Sequence, residues 1–238
     1  MNNINPDRFS GTNTSAVSYD AGLKSHMNRV YARMSFGVLL SAVVSIFMAN
    51  SPELLKLFLS GPQAYIVMFA PVAIVFFGFN PARMSSNTLR LSFIAISVLY
   101  GISFSSIFFM YNIGDISRAF LLATIMFSGL SIFGYTTKRD LGPLATFAFM
   151  GVLGVFAMSI LNGFFFKNEG LADIISLVSI VAFAGVTAWE TQNMKQLYNA
   201  ANGDEGNSRI AWSGALTLYI SFVAIFMNLL RFMGGGRD

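Results

Sequence analysis

The sequence predicts an all-α integral membrane protein with seven transmembrane helices, and three observations carry that reading. Of 238 residues, 55% are hydrophobic and only 11% are charged, whereas a soluble domain is roughly a quarter charged so that its surface stays wetted. Seven apolar runs follow one another, each near the ~20 residues that take a helix across a ~30 Å hydrocarbon layer. The runs do not alternate apolar with polar, as the strands of a membrane barrel must. Lipid offers no hydrogen-bond partners, so helices that satisfy their own backbone are the remaining choice.

Residues 1–27 are polar, rich in Asn, Ser, Thr, Asp and Gly. They lack the apolar run of a signal peptide, and a flexible, uncleaved cytoplasmic tail is expected there. Residues 28–238 then form the membrane domain. Its spans are placed at 30–49, 62–79, 89–111, 117–136, 143–166, 171–193 and 209–232. Ser-Pro at 51–52, Gly-Pro at 61–62, Asn-Pro at 80–81 and Gly-Pro at 142–143 punctuate the intervals as turn or helix-start signals. Pro71 falls inside the second span and is expected to bend it.

The basic residues orient the chain. With the tail inside, ten of the fifteen Lys and Arg, among them Arg29, Arg83, Lys138 and Arg209, fall on the cytoplasmic side. The positive-inside rule therefore favours a cytoplasmic N-terminus and a C-terminus on the outer face. The net charge of +4 follows from those loops and gives no reason to expect nucleic acid. All loops are short, so no separate domain outside the bilayer carries an activity.

An ionisable group in hydrocarbon costs roughly 2.5–3.5 kcal/mol on insertion scales, so an intramembrane carboxylate needs a reason. Glu190 is the case in point. At ~100° per residue, Ser176, Ser179, Thr187 and Glu190 share one face of the sixth span, with Phe183 between them. Ser213, Thr217, Ser221, Asn228 and Arg231 fall within a sector of roughly 80° on the seventh. A lipid-facing helix would not carry such a stripe, so the seventh helix is read as interior, its stripe facing that of the antiparallel sixth. The hydroxyls and Asn162 and Asn228 also suit simple close packing between helices. For Glu190 two roles stay open: pairing with Arg83 or another base at the cytoplasmic end, or exchanging a proton. Asp115 and Asp173 sit at outer ends, where solvation is expected. Estimated depths place Ser213 or Thr217 nearer Glu190 than Ser221.

Several functions are excluded by residue type. There is no cysteine, which removes disulfides, zinc fingers and thiol nucleophiles. His26 is the sole histidine, too few for a zinc protease and, in the tail, badly placed for a Ser–His dyad. No lysine in the seventh span suits retinal, no pair of facing aspartates suits an aspartyl protease, and no glycine-rich phosphate loop occurs. No enzyme and no cofactor are expected.

Four strings carry a resemblance: Tyr-Gly-Ile-Ser-Phe-Ser-Ser-Ile-Phe at 100–108, Thr-Lys-Arg-Asp-Leu at 137–141, Trp-Glu-Thr-Gln at 189–192, and Ala-Leu-Thr-Leu-Tyr-Ile-Ser-Phe at 215–222 running on to Leu-Leu-Arg at 229–231. In this order and spacing they resemble the Bax inhibitor-1, or transmembrane Bax inhibitor motif, family, in its bacterial branch. The resemblance implies a C-terminal helix at the centre, wrapped by the other six. It also implies a pH-sensitive calcium or cation leak, gated in some members by a carboxylate pair on the last two helices and an arginine near the end of the second. By position those are Glu190, Ser221 and Arg83, with Ser221 replacing the second carboxylate and Val72 standing near the place of a further acid. Ser176, Ser179, Thr187, Ser213, Thr217 and Asn228 would line the polar path, with calcium bound in transit and no resident metal. The alternative is a non-conducting membrane protein that restrains a membrane-embedded ATP-dependent protease, as in relatives with Ser at this place. A bacterial inner membrane is the expected location.

Overall fold

A chain this apolar folds by closing backbone hydrogen bonds within each segment, and the computed structural model, which describes residues 7–234, is helical nearly throughout. Among the described residues nine α-helices follow in order: α1 (Asp7–Ala49), α2 (Pro52–Leu59), α3 (Gln63–Ala73), α4 (Ser86–Phe104), α5 (Ile107–Met110), α6 (Ile113–Thr136), α7 (Gly142–Leu161), α8 (Glu169–Leu197) and α9 (Gly203–Gly234). Short π-helical turns extend α3 over Ile74–Gly78 and α7 over Asn162–Phe166.

Among the described residues six helices are long and apolar enough to cross a membrane, and up to seven if the bent pair α2–α3 counts as one span. The second span is where the expected count of seven is met only by counting a bent pair. α2 and α3 meet at 86° across Ser60 and Gly61, the latter at φ +74°, so the expected span at 62–79 corresponds to α3 with its π-turn, and the short helix α2 precedes it in what was read as a loop. Pro71 lies within α3, and the π-turn begins three residues later. Pro71 has no N–H to donate to the carbonyl of Val67. Ser103 of α4 reaches that oxygen instead, at 3.4 Å.

The expected tail boundary at residue 27 also moves. α1 is helical from Asp7, and Leu23, His26 and Met27 are buried, packed with Met194, Tyr198 and their neighbours near the end of α8. Apolar side chains recurring at 23, 27, 30 and 34 carry the core face back beyond the polar composition that defined the tail. Residues 1–6 lie outside the described residues.

α9 is the most enclosed span. Of its most apolar stretch 67% is buried, against 11% for α7. It packs mainly on α1, α4, α6 and α8, whereas α7 lies against α8 and α3 against α4. The last helix is thus interior, flanked chiefly by four helices. Its Leu218, Tyr219, Ile225 and Leu230 are fully buried in a core shared with Leu89, Phe93 and Ile96 of α4 and Ala119 and Ala123 of α6. Outward-facing Phe47, Leu121, Phe147 and Val181 are exposed, the pattern of helices solvated by lipid.

Small residues set how closely these helices approach. A Cβ on Gly101 of α4 would come to 2.8 Å of the Ser41 carbonyl oxygen in α1. One on Gly134 of α6 would run into the backbone of Ala188 in α8.

Candidate functional site

α8 begins at Asn168, whose side chain accepts the Leu171 N–H at 2.9 Å, a standard cap for an otherwise unpaired donor. It ends at Leu197, and a single 3₁₀ turn, Ala200–Asn202, leads through Gly203 (φ +66°) into α9. So short a connection makes α8 and α9 antiparallel neighbours and puts their polar faces in contact. The N-terminal end of α8 is tied by Asn162, whose amide donates to the Asn168 carbonyl and accepts the Asn168 N–H, both at 3.0 Å.

Glu190 is buried at this interface, 6% exposed. Ser221 Oγ donates to Glu190 Oε2 at 3.0 Å. Thr217 faces the same carboxyl, while its hydroxyl donates to the Gly214 carbonyl at 3.1 Å. Of the two residues, Ser213 and Thr217, that the depth estimate placed nearer Glu190 than Ser221, Thr217 does lie at the carboxyl, whereas Ser213 does not, and Ser221 was wrongly set farther away. The first turns of α9 extend beyond the end of α8 to reach the start of α4, where Glu205 accepts the N–H and hydroxyl of Ser86, each at 2.7 Å. This slides α9 along α8 by about 12 Å relative to centred spans, eight residues at 1.5 Å each. Ser213 lies instead in a separate cavity of about 360 Å³ with Met194, Leu197 and Arg209.

Arg83 is exposed in the loop before α4 and makes no ion pair with Glu190. The guanidinium that does hold this loop belongs to Arg209, which donates through Nε to the Pro81 carbonyl at 3.0 Å and through Nη2 to the same oxygen. Asn80–Pro81 starts a turn that carries Arg83 outward, so position in the sequence near the second span did not translate into proximity. Asp115, expected to be solvated, is buried in the first turn of α6 with Arg118 at 3.7 Å.

The remaining stripe residues mostly satisfy themselves within their own helices. Ser176, Ser179 and Thr187 donate to the carbonyls of Ala172, Ile175 and Phe183 at 3.0, 2.7 and 2.7 Å, and Asn228 to that of Ala224 at 2.8 Å. Such bonds leave the hydroxyl oxygens as acceptors. Two further contacts escaped the sequence reading. Tyr219, wholly buried, shares a 2.7 Å hydrogen bond with Ser41, which also lies 2.7 Å from the Ser97 carbonyl. Gln192, beside the Glu190 motif, clasps the α6–α7 loop by accepting the Leu141 N–H at 2.9 Å and donating to the Arg139 carbonyl at 2.8 Å. This contact joins the strings Trp-Glu-Thr-Gln at 189–192 and Thr-Lys-Arg-Asp-Leu at 137–141.

Chemically, the site offers one carboxyl between two helices, with hydroxyl partners and no counter-cation among the described residues. It can gain or lose a proton, or meet a cation where the α8–α9 interface parts. The described residues hold no cluster of three or more His, Asp or Glu suited to a metal, so an ion met here would be cargo.

Comparison with known proteins gives a consistent picture. The family model described as "Inhibitor of apoptosis-promoting Bax1" matches residues 23–238. An uncharacterized protein of Rickettsia prowazekii is 34% identical over 230 residues, 95% of this chain and 96% of that one. Inner membrane protein YbhL of Escherichia coli is 33% identical over 235 residues, 97% of this chain and all of its own length. A Lactococcus lactis protein, YrjE, is 36% identical over 226 residues, covering 91% of this chain and 94% of its own.

Proposed function

Because the chain belongs to the Bax inhibitor-1 family, we propose that this multi-pass membrane protein is a weak, proton-sensitive leak for calcium or another cation. Glu190 is its gating group and Ser221 the latch. The observation that carries the reading is the 3.0 Å contact between a buried carboxyl on α8 and a hydroxyl on the enclosed helix α9. An intramembrane carboxyl is costly to place and worth keeping only where it acts. In this reading the hydrogen-bonded contact between the two helices corresponds to a closed state. A carboxylate left charged between apolar helices favours their separation and the entry of water or a cation, because burial of an unpaired charge is costly. A protonated carboxyl lets them close. Thr187, Thr217 and the outer hydroxyls Ser176 and Ser179 offer oxygen ligands along the separated faces, the donor type that calcium takes. The bacterial inner membrane, the location in the name of YbhL, is assigned here too, with the N-terminus cytoplasmic by the placement of basic residues.

Purified protein in liposomes loaded with a calcium dye tests the reading. A calcium leak above that of protein-free liposomes is expected, and its absence at every pH from 5 to 9 sinks it.

One observation favours a second reading, a non-conducting partner that restrains a membrane-embedded protease. Ser221 cannot ionise, and Glu190 has a hydroxyl where a paired carboxylate would stand, so the contact also serves as a plain interhelical fastening. Specific capture of an ATP-dependent membrane protease, with no leak in liposomes, is the outcome that would select it.

A further inference from the structure

α1 and α6 both pack along α9, and between them lies a groove of about 880 Å³ floored by Phe222. Its α1 wall runs from Lys24 to Ala42 and its α6 wall from Thr136 back to Phe120. Eighteen helical steps, from Lys24 to Ala42, make the longer wall about 27 Å, a length suited to a lipid chain lying along the helices. The groove has a polar end and an apolar end. Lys24, Asn28, Tyr31 and Thr136 gather at one; Val38, Leu39, Ala42 and Phe120 line the other. Lys24 is the sole charged residue among those lining it. Behind Tyr135, Lys195 adds a second positive charge, bonded to the Tyr135 carbonyl at 3.0 Å and 5.0 Å from its ring centre.

A space of this size between packed helices forfeits dispersion contacts if empty. Water filling it would find few partners along the Met34, Val38 and Phe222 stretch. A hydrocarbon chain satisfies that stretch, and a basic pocket between membrane helices is suited to an anionic head group. We infer that the α1–α6 groove binds one anionic phospholipid, its acyl chain on Met34, Val38 and Phe222 and its phosphate at Lys24 beside Asn28. Phe222 adjoins Ser221, so the bound chain rests one residue from the contact with Glu190. The inference is independent of whether the protein conducts.

Native mass spectrometry of the full-length protein in detergent, with dioleoyl phosphatidylglycerol or dioleoyl phosphatidylcholine added in turn, tests it. One retained phosphatidylglycerol is expected, favoured several-fold over phosphatidylcholine. Lys24→Gln, at an exposed position, should reduce the phosphatidylglycerol adduct by about fivefold, the effect of one basic residue at an anionic surface. Ala42→Trp, filling the exposed apolar end, should remove adducts of both lipids. Equal retention of the two lipids by the wild type overturns the inference. So does undiminished phosphatidylglycerol binding in either variant, or a lipid-free dimer in which a second copy covers this face.

Discussion

Gly134→Ala in α6 is a sharp test of the packing that holds Glu190 in place. A Cβ at this position would stand 2.9 Å from the Ala188 carbonyl carbon and 3.1 Å from its Cα, and closer still to the carbonyl oxygen. Carbon atoms settle at about 3.5–4.0 Å, so the 2.9 Å contact falls short by about 0.6–1.1 Å. The obstacle is helix backbone, which cannot turn aside as a side chain would. α6 and α8 must therefore separate by about 1 Å, at a cost of about 1–3 kcal/mol for overpacking. Gly129, in the same helix, supplies the control: a Cβ there meets nothing within 4 Å. Both substitutions gain the same helix propensity, roughly 0.8–1.0 kcal/mol, so the difference between them isolates the clash. Thermal unfolding in detergent, followed by near-UV circular dichroism, should place Gly134→Ala about 4–8 °C below Gly129→Ala for a difference of about 2 kcal/mol. Since Ala188 lies two residues before Glu190, a shifted pH profile of any leak should accompany the loss. Equal melting temperatures for the two variants would refute the close contact of α6 with α8.

Two other outcomes follow from the same geometry. Arg83→Ala should leave stability within about 0.5 kcal/mol of wild type and leave the pH dependence of any leak unchanged, because Arg83 is exposed and unpaired with Glu190; a flattened pH profile would restore it to the gate. Tyr219→Phe removes the hydroxyl shared with Ser41 and should cost about 1 kcal/mol, or about 2–4 °C. Scanning fluorimetry with no change would show that this buried bond is energetically idle.

Helical class, the interior last helix and the burial of Glu190 were legible in the sequence because each follows from local pattern: apolar length, polar stripes, and one carboxylate in hydrocarbon. The break between α2 and α3 was marked by Gly61-Pro62, yet such a signal gives no angle, and the 86° bend accompanies α2 lying on α1 while α3 lies on α4. The resemblance had set Ser221 beside Glu190, but the depth estimate, which preferred Ser213 or Thr217, missed it for a related reason. Composition finds where hydrocarbon ends along each helix but not how far two helices slide past one another, and the bonds of Glu205 and Arg209 to residues 81–86 set that offset. Arg83 failed as a carried-over gate residue because the turn at Asn80–Pro81 sends it outward. Residues 19–27 read as tail by composition, although Leu23 and Met27 continue the buried face of α1.

The leak of calcium into dye-loaded liposomes, measured from pH 5 to 9 for wild type and Glu190→Gln, tests the central claim most directly. Ionised Glu190 is the form that attracts a cation and resists burial, so the wild-type leak should rise with pH through the titration of this group. Glu190→Gln keeps the size and a hydrogen-bonding oxygen but has no proton to lose, and its leak should be flat across the range. A variant whose leak still rises with pH as the wild type does would contradict the account.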